Sequence, residues 1–330
     1  MTPLCSEDSV LARLARHFPD SHDSLLLGRG DDAAVITVDS ALCVSSDLFL
    51  EDAHFRRGYF TPEEIGHKAL AVNISDMAAC GANPLGFTLC LGLPPLTDMA
   101  WLDAFFSGMA ALARRYDCVL AGGDLAACER IYIAVTIWGK PAANGLALRR
   151  DGCRPGDILF VVGPLGLARV GLHALETRGR EALDVWPDAC SAHLRPLPLI
   201  QAGLAIARLA DTVRPPTLMD ISDGVARDLP RLLQGKGTKR GLGAALHLPR
   251  EALHPEVCRF AAEQGKDPVM EALLGGEDYA LLGACAPEFF PKFQKAVQGL
   301  TSAGIVREQP EITVNGQPFR AAGFDHYAAV

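Results

Sequence analysis

Apolar residues recur at three- and four-residue steps over residues 8–18, where Val10, Leu11, Leu14 and Phe18 share one side, and this spacing predicts a helix. Leu25-Leu26-Leu27 and residues 33–38 are short apolar runs on either side of Gly28-Arg29-Gly30-Asp31-Asp32. They read as strand, tight turn and strand. Residues 41–45 form another strand pattern running into Asp47. A long helix is predicted over 62–80, with Thr61 as N-cap and Pro62 at the first helical position. Within it Asn73 and Asp76, three apart, share a face. Residues 87–93 read as a buried strand, 98–115 as a second long helix, and 119–121 as a short strand leading to Gly122-Gly123-Asp124. Residues 131–138 are polar on neither side, which predicts a strand central in its sheet.

Beyond a Pro/Ala/Asn/Gly stretch at 140–145 the pattern changes. Residues 158–162 are a strand, 163–171 a glycine-punctuated turn running into a helix, 192–199 a proline-broken segment and 199–210 a helix. Residues 217–219 read as a strand carrying Asp220 at its end. Ser222 or Asp223 then caps a helix through about 234. A loop at 235–243, a strand at 279–284, a helix at 287–301 and a short strand near 311–314 complete the reading. A chain of 330 residues exceeds the usual single-domain size. The expectation is an α+β protein of two domains, 1–148 and 149–330.

Composition narrows the class. A hydrophobic content of 49% with 21% charged residues fits a compact globular chain and excludes a disordered one. The formal charge of −8, with no Lys/Arg block, argues against a nucleic-acid surface. No apolar run is long enough to suggest a membrane span. The N-terminus carries Glu7 and Asp8 and lacks a signal-peptide pattern. None of the ten cysteines forms a C-x-x-C pair, which favours free thiols in a reducing compartment, and the expected location is cytoplasmic.

The chemistry sits in six acidic patches, each at or just past an apolar or glycine-rich run. They are Gly30-Asp31-Asp32, Ser45-Ser46-Asp47, Asn73-Ile74-Ser75-Asp76, Gly122-Gly123-Asp124, Asp220-Ile221-Ser222-Asp223 and Gly275-Gly276-Glu277-Asp278. One alone is a cap or a turn. Six predict strand ends converging on one place, where carboxylates repel unless a cation neutralises them. Mg²⁺ is the hard cation suited to such oxygens, and substrate phosphates are its usual other ligands. The first reading is therefore metal-dependent phosphoryl transfer. Asp76 lies among Ala71, Val72, Ile74 and Met77, which leave it little polar face. The glycines before Asp124 free backbone N–H groups that can bind phosphate. Asp223 has the bland alternative of a helix cap, Asp31-Asp32 that of a surface turn. His54 follows the polar turn Glu51-Asp52, and Arg150 can fork onto a phosphate. There is no Walker loop, no Rossmann glycine fingerprint and no G-x-S-x-G elbow.

Taken in order, the motifs G-x-G-D-D, S-[ST]-D with H-F, N-x-S-D-[ML]-A-x-x-G-A-x-P, G-G-D, R-x-G-x-x-P-G-D, H-x-R-P-x-P, D-x-S-D-G-[LV], G-G-E-D-Y and G-[YF]-D-H run from Gly28 to Tyr327. This order resembles the thiamine-monophosphate kinase family, a branch of the superfamily of aminoimidazole ribonucleotide synthetase and selenophosphate synthetase. The resemblance implies ATP-dependent phosphorylation of thiamine phosphate to thiamine diphosphate, by direct in-line transfer. It implies Mg²⁺ ions held by Asp32, Asp47, Asp76, Asp124, Asp220 and Asp223, with Asp31 and Ser46 beside them. Asp76, Asp124 and Asp220 stand at the centre of that chemistry. It implies nucleotide contacts from Gly123, Asp124, Arg150 and Ser222, and thiamine phosphate contacts from His54, Glu277 and Phe324. The implied fold has an N-terminal α+β domain whose strands join a second subunit's in a shared barrel, hence a homodimer, and a C-terminal α/β domain.

Two other readings compete. One is a different branch of the superfamily, selenophosphate or aminoimidazole ribonucleotide synthetase. Cys5, the only early cysteine, has no nearby lysine to make the reactive loop expected of the former. The other is a non-catalytic binder of nucleotide or thiamine phosphate. The full set of acids argues against it.

Overall fold

A computed structural model of the chain describes residues 13–18, 23, 25–27, 35–36, 41–142, 144–234 and 241–320. The chain divides into two compact units, Met1–Met77 with Ala82–Pro141, and Ala78–Gly81 with Ala142–Val330.

In the first unit the short strands β1 (Leu25–Leu27) and β2 (Val35–Ile36) pair antiparallel. A four-stranded sheet then holds β3 (Cys43–Leu50), β4 (Ala82–Leu93), β5 (Val119–Ala127) and β6 (Tyr132–Pro141) in the order β3-β6-β4-β5. Only β4 and β5 run parallel. The strand expected over 131–138 is central, as its pattern predicts, but only one of its faces is sealed. Ile133, Val135 and Ile137 are buried while Tyr132, Ala134 and Thr136 are not. Val44, Leu48 and Tyr132 leave 63%, 60% and 46% of their surface open on that second face.

Helix α2 (Met99–Arg115) and all but the last two residues of helix α1 (Pro62–Ala79) belong to the same unit. Helix α1 starts on a capping box: Thr61 Oγ1 accepts the Glu64 N–H, and Glu64 Oε2 accepts the Thr61 N–H at 2.8 Å. The two helices touch backbone to backbone. A Cβ on Gly66 would lie 2.0 Å from the Phe105 carbonyl oxygen, and one on Gly108 would lie 2.0 Å from that of Glu63. Only glycine permits this approach. Helix α1 is buried nearly all round, with Ile65, Leu70, Ile74 and Met77 in the core and the polar Glu64, Lys68, Asn73 and Ser75 buried beside them.

The second unit is built on a seven-stranded sheet. Its strands are β7 (Ile158–Val162), β8 (Thr217–Asp220), β9 (Gly243–Leu246), β10 (Leu281–Cys285), β11 (Leu300–Arg307), β12 (Ile312–Val314) and β13 (Gln317–Pro318), in the order β13-β12-β9-β11-β7-β10-β8. All pairs but β12 with β9 are antiparallel. The expected α/β character is therefore present only as interleaved helices; the pairing is that of an α+β unit. Its helices are α3 (Leu167–Arg178), α4 (Pro187–Leu194), α5 (Ile200–Leu209), α6 (Val225–Leu233), α7 (Pro255–Glu263), α8 (Pro268–Leu273) and α9 (Phe290–Ala296). Leu159, Phe160, Leu281, Leu282 and Phe293 are fully buried in it.

Several sequence expectations shift. The strand read as 41–45 runs on through Asp47 to Leu50, and that read as 119–121 runs on through Asp124 to Ala127. Both acids therefore lie within strands rather than past their ends, because ladder pairing with β6 and β4 carries these segments through polar residues. The helix expected over 287–301 stops at Ala296. Gly299 turns the chain at φ +77°, and Leu300 opens β11. No helix among the described residues is long and apolar enough to cross a membrane.

Candidate active site

In the first unit the structure brings together two of the expected acids. Along β3, Cys43, Ser45, Asp47 and Phe49 point to one face by the two-residue period of a strand. Ser45 Oγ donates to Asp76 Oδ2 of α1 at 2.5 Å. The Asp47 and Asp76 side chains are hydrogen-bonded to each other. Burial, then the charge of Asp76 and this hydrogen bond, push the Asp47 carboxyl up to about 7. A sheet and a largely buried helix thus hold two carboxylates that cannot both ionise comfortably. Sequence reasoning assigned the serine role to Ser46. That residue points to the opposite face, where its Oγ lies 2.9 Å from Thr136 Oγ1, and Ser45 is the hydroxyl at the acid pair.

Asp124 stands apart from this pair. On β5 it is exposed and paired in register with Cys90, whose neighbour across β6 is Ala134. The β6 and β4 strands separate β5 from β3. Gly123 before it is a steric necessity, since a Cβ there would sit 1.8 Å from the Leu89 carbonyl oxygen. His54 stacks at 5.8 Å on Phe49, and its Nδ1 accepts the Leu50 N–H at 3.1 Å. This assigns the ring proton of neutral His54 to Nε2.

In the second unit β8 ends at Asp220, and Ile221-Ser222-Asp223 turns into α6. The expected side-chain cap by Ser222 or Asp223 is not formed; Gly224 is the N-cap residue and gives no side-chain bond. The capping role passes to a residue the sequence reading overlooked. The fully buried Asp228 accepts the N–H groups of Ser222 and Asp223 at 3.1 and 3.0 Å. Burial pushes its carboxyl up, while the Asp223 N–H and Arg231 pull it down. Asp223 itself is paired with Arg231 Nη1 at 2.8 Å and Arg227 Nε at 3.5 Å.

A second loop closes on this turn. The N–H groups of Glu277 and Tyr279 donate to the carbonyls of Ser222 and Ile221 at 2.7 and 2.9 Å. Glu277 and Tyr279 take φ of +62° and +48°, a conformation uncommon outside glycine. Glu277 Oε2 lies 3.0 Å from Nδ1 of His193, which is 1% exposed. Asp278 accepts the N–H groups of Gly166 and Ala168 at 2.6 and 3.1 Å at the start of α3. Burial pushes it up to about 7 against those donors. Arg150 is exposed beside Arg149, whose carbonyl accepts the Leu218 N–H of β8. The Arg149 guanidinium forks onto Asp151 at 2.7 and 2.9 Å. Asp31, Asp32 and Phe324 lie outside the described residues.

Among the described residues no three His, Cys, Asp or Glu side chains gather in a metal-binding group. The Asp47–Asp76 pair nevertheless fits a hard divalent cation. It offers two adjoining carboxyl groups, one with its proton affinity raised by burial and by the other's charge, and Mg²⁺ commonly takes only one or two protein carboxylates alongside substrate phosphates. Asp228 gave no signal in the sequence, and the motifs holding His193 and Asp278 did not show their partners, because each acts through a group distant in the chain or through backbone N–H groups.

Comparison with known proteins decides the family. The model described as AIR synthase related protein, N-terminal domain, matches residues 30–140. The thiamine-monophosphate kinase of Escherichia coli O157:H7 is 35% identical over 98% of this chain and 99% of its own length. The chain belongs to the thiamine-monophosphate kinase family. Among solved structures of that family, the enzyme from Stenotrophomonas maltophilia K279a superimposes with a TM-score of 0.77 at 30% identity, covering 94% of this chain and 95% of its own. AaThiL complexed with AMPPCP and TMP gives 0.75 at 28% identity, covering 97% of each chain. As a thiamine-monophosphate kinase relative over its whole length, the protein is an enzyme with the two-domain α+β architecture of that family.

Proposed function

We propose that this enzyme transfers the γ-phosphoryl group of ATP to thiamine phosphate, giving thiamine diphosphate and ADP. A phosphate oxygen of thiamine phosphate attacks the γ-phosphorus in line. The bond from that phosphorus to the β,γ-bridging oxygen breaks, and the electron pair leaves with ADP, with no phosphoenzyme. The observation that carries the reading is the Asp47–Asp76 pair, two carboxylates held together by β3 and α1 with the proton affinity of one raised to about 7. Such a site calls for a cation, and family membership supplies the reaction.

Asp32, Asp47, Asp76, Asp124, Asp220 and Asp223, with Asp31 and Ser45 beside them, would hold Mg²⁺, which supplies charge neutralisation between the phosphates. The chain's own part is positioning. Gly123 brings bare backbone to the nucleotide phosphates, Ser222 offers a hydroxyl and Arg150 a planar fork. His54, with its proton on Nε2, and Glu277, oriented by His193, serve the thiamine phosphate side with Phe324. Asp76, Asp124 and Asp220 are the acids nearest the reacting groups in this assignment.

The open apolar face bearing Val44, Leu48 and Tyr132 supports a homodimer in which the sheets of two copies close a barrel. We place the functional boundary at 148/149. The nine described cysteines are all free, which supports a cytoplasmic location. The deciding experiment incubates the protein with ATP, Mg²⁺ and thiamine phosphate and looks for thiamine diphosphate. Its absence with folded protein defeats the reading. Sedimentation equilibrium tests the dimer.

A further inference from the structure

Asp228 has no exposed surface and no part in the scheme above. It sits on α6, just after the Asp220-Ile221-Ser222-Asp223 turn. Its two oxygens do different things. Oδ2 accepts both backbone N–H groups of Ser222 and Asp223, and Oδ1 lies 2.6 Å from Arg231 Nη1. That same Arg231 nitrogen lies 2.8 Å from Asp223 Oδ2, and Arg227 approaches this oxygen at 3.5 Å. One guanidinium nitrogen is thus shared between a carboxylate with no exposure and one whose side chain is 20% exposed. A guanidinium and a divalent cation compete for the same carboxylate oxygen, so an acid that is to bind metal needs its arginine drawn aside. Asp228 supplies the second anchor for that arginine. Because its other oxygen pins the backbone of the turn, the arginine can move over a fixed loop.

We propose that Arg231 is the resident counter-charge of Asp223 in the cation-free enzyme, and that Asp228 is the positioning residue that draws it aside when Asp223 takes a cation. This rests on the reading of Asp223 as a cation ligand. Asp228 touches neither substrate nor cation; it acts through Arg231 and through the Ser222 and Asp223 backbone.

The test is Mg²⁺ binding to the full-length protein by isothermal titration calorimetry, with MgCl₂ alone as the titrant and the half-saturating concentration as its midpoint, and the melting temperature without Mg²⁺ is measured beside it. In Asp228→Asn the amide oxygen still accepts the two N–H groups, but its NH₂ faces Arg231 and repels it. Arg231 then settles on Asp223, and the half-saturating Mg²⁺ concentration increases about tenfold, the scale of one charge-assisted hydrogen bond. Arg231→Gln lowers that midpoint below the wild-type value. Combining the two substitutions returns it to within about twofold of Arg231→Gln alone, a non-additivity expected of residues acting through one another. A merely structural Asp228 would lower the melting temperature without moving the midpoint, and Arg231→Gln would not rescue it. A midpoint unmoved in Asp228→Asn, or no rescue, overturns the proposal. Asp223→Asn separates the levels. If it moves the midpoint while Asp228→Asn does not, only the role of Asp228 falls; if Asp223→Asn leaves it in place, the ligand reading falls too. Should Asp228→Asn fail to fold, Arg231→Gln decides alone, and an unchanged or raised midpoint overturns the proposal.

Discussion

Replacing Asp76 by asparagine keeps shape and removes one charge. The carbonyl of the new amide can still accept from Ser45 Oγ, and its NH₂ can donate to Asp47 in place of the shared proton. In the parent protein Asp47 is moved from 3.8 to about 7. At about 1.4 kcal/mol per pH unit this corresponds to roughly 4 kcal/mol between the two protonation states. Burial is the largest cause, and the charge of Asp76 and its hydrogen bond supply the rest, taken as about 1–2 kcal/mol. The sign follows from linkage. A carboxyl whose folded pKa is raised above its unfolded value contributes stability that is full below about pH 4 and lost as pH rises through about 7. The metal-free parent should therefore lose stability across that window, and Asp76→Asn should lose less. At pH 8 without cation the variant should melt higher by roughly 3–6 °C, and at pH 4 the difference should shrink towards zero. Mg²⁺ should raise the parent more than the variant, because it binds a folded site that the variant has weakened. With Mg²⁺ and both substrates, turnover should fall by about 10²-fold or more. Differential scanning fluorimetry in EDTA across this pH range is the assay. A variant that melts lower than the parent at pH 8, or by the same margin at every pH, refutes the reasoning that the two carboxylates repel.

Chelation by EDTA should abolish thiamine diphosphate formation and added Mg²⁺ should restore it; turnover in metal-free buffer would contradict the cation site. Glu277→Gln should raise KM for thiamine phosphate more than for ATP, and Arg150→Ala should do the reverse; equal effects on both constants in steady-state assays would dissolve that division. Gly66→Ala places a Cβ 2.0 Å from the Phe105 carbonyl oxygen, so α1 and α2 must part, at a cost of about 2–3 kcal/mol seen in urea unfolding. A neutral result there would mean that the helices are not held in contact.

Sequence alone determined much of this protein. Local rules sufficed for α1, whose Thr61-Pro62-Glu63-Glu64 start specifies a cap, and for β7, whose Ile158–Val162 run is bounded by turns on both sides. The ordered motifs were enough to indicate the family and to select Asp47 and Asp76. Which of two adjacent serines serves the acid pair was decided by β3 pairing with β6, since a one-residue change of register exchanges the faces of Ser45 and Ser46. The extension of β3 and β5 through their acids was likewise a matter of ladder hydrogen bonds that no local propensity encodes. Asp228 became visible only in three dimensions, and so did the partners of His193 and Asp278, whose motifs the sequence shows without them. Asp228 and His193 are buried and Asp278 is half-buried, and burial is a property of what packs around a residue, so the partners that make it tolerable lie elsewhere in the chain or on its backbone.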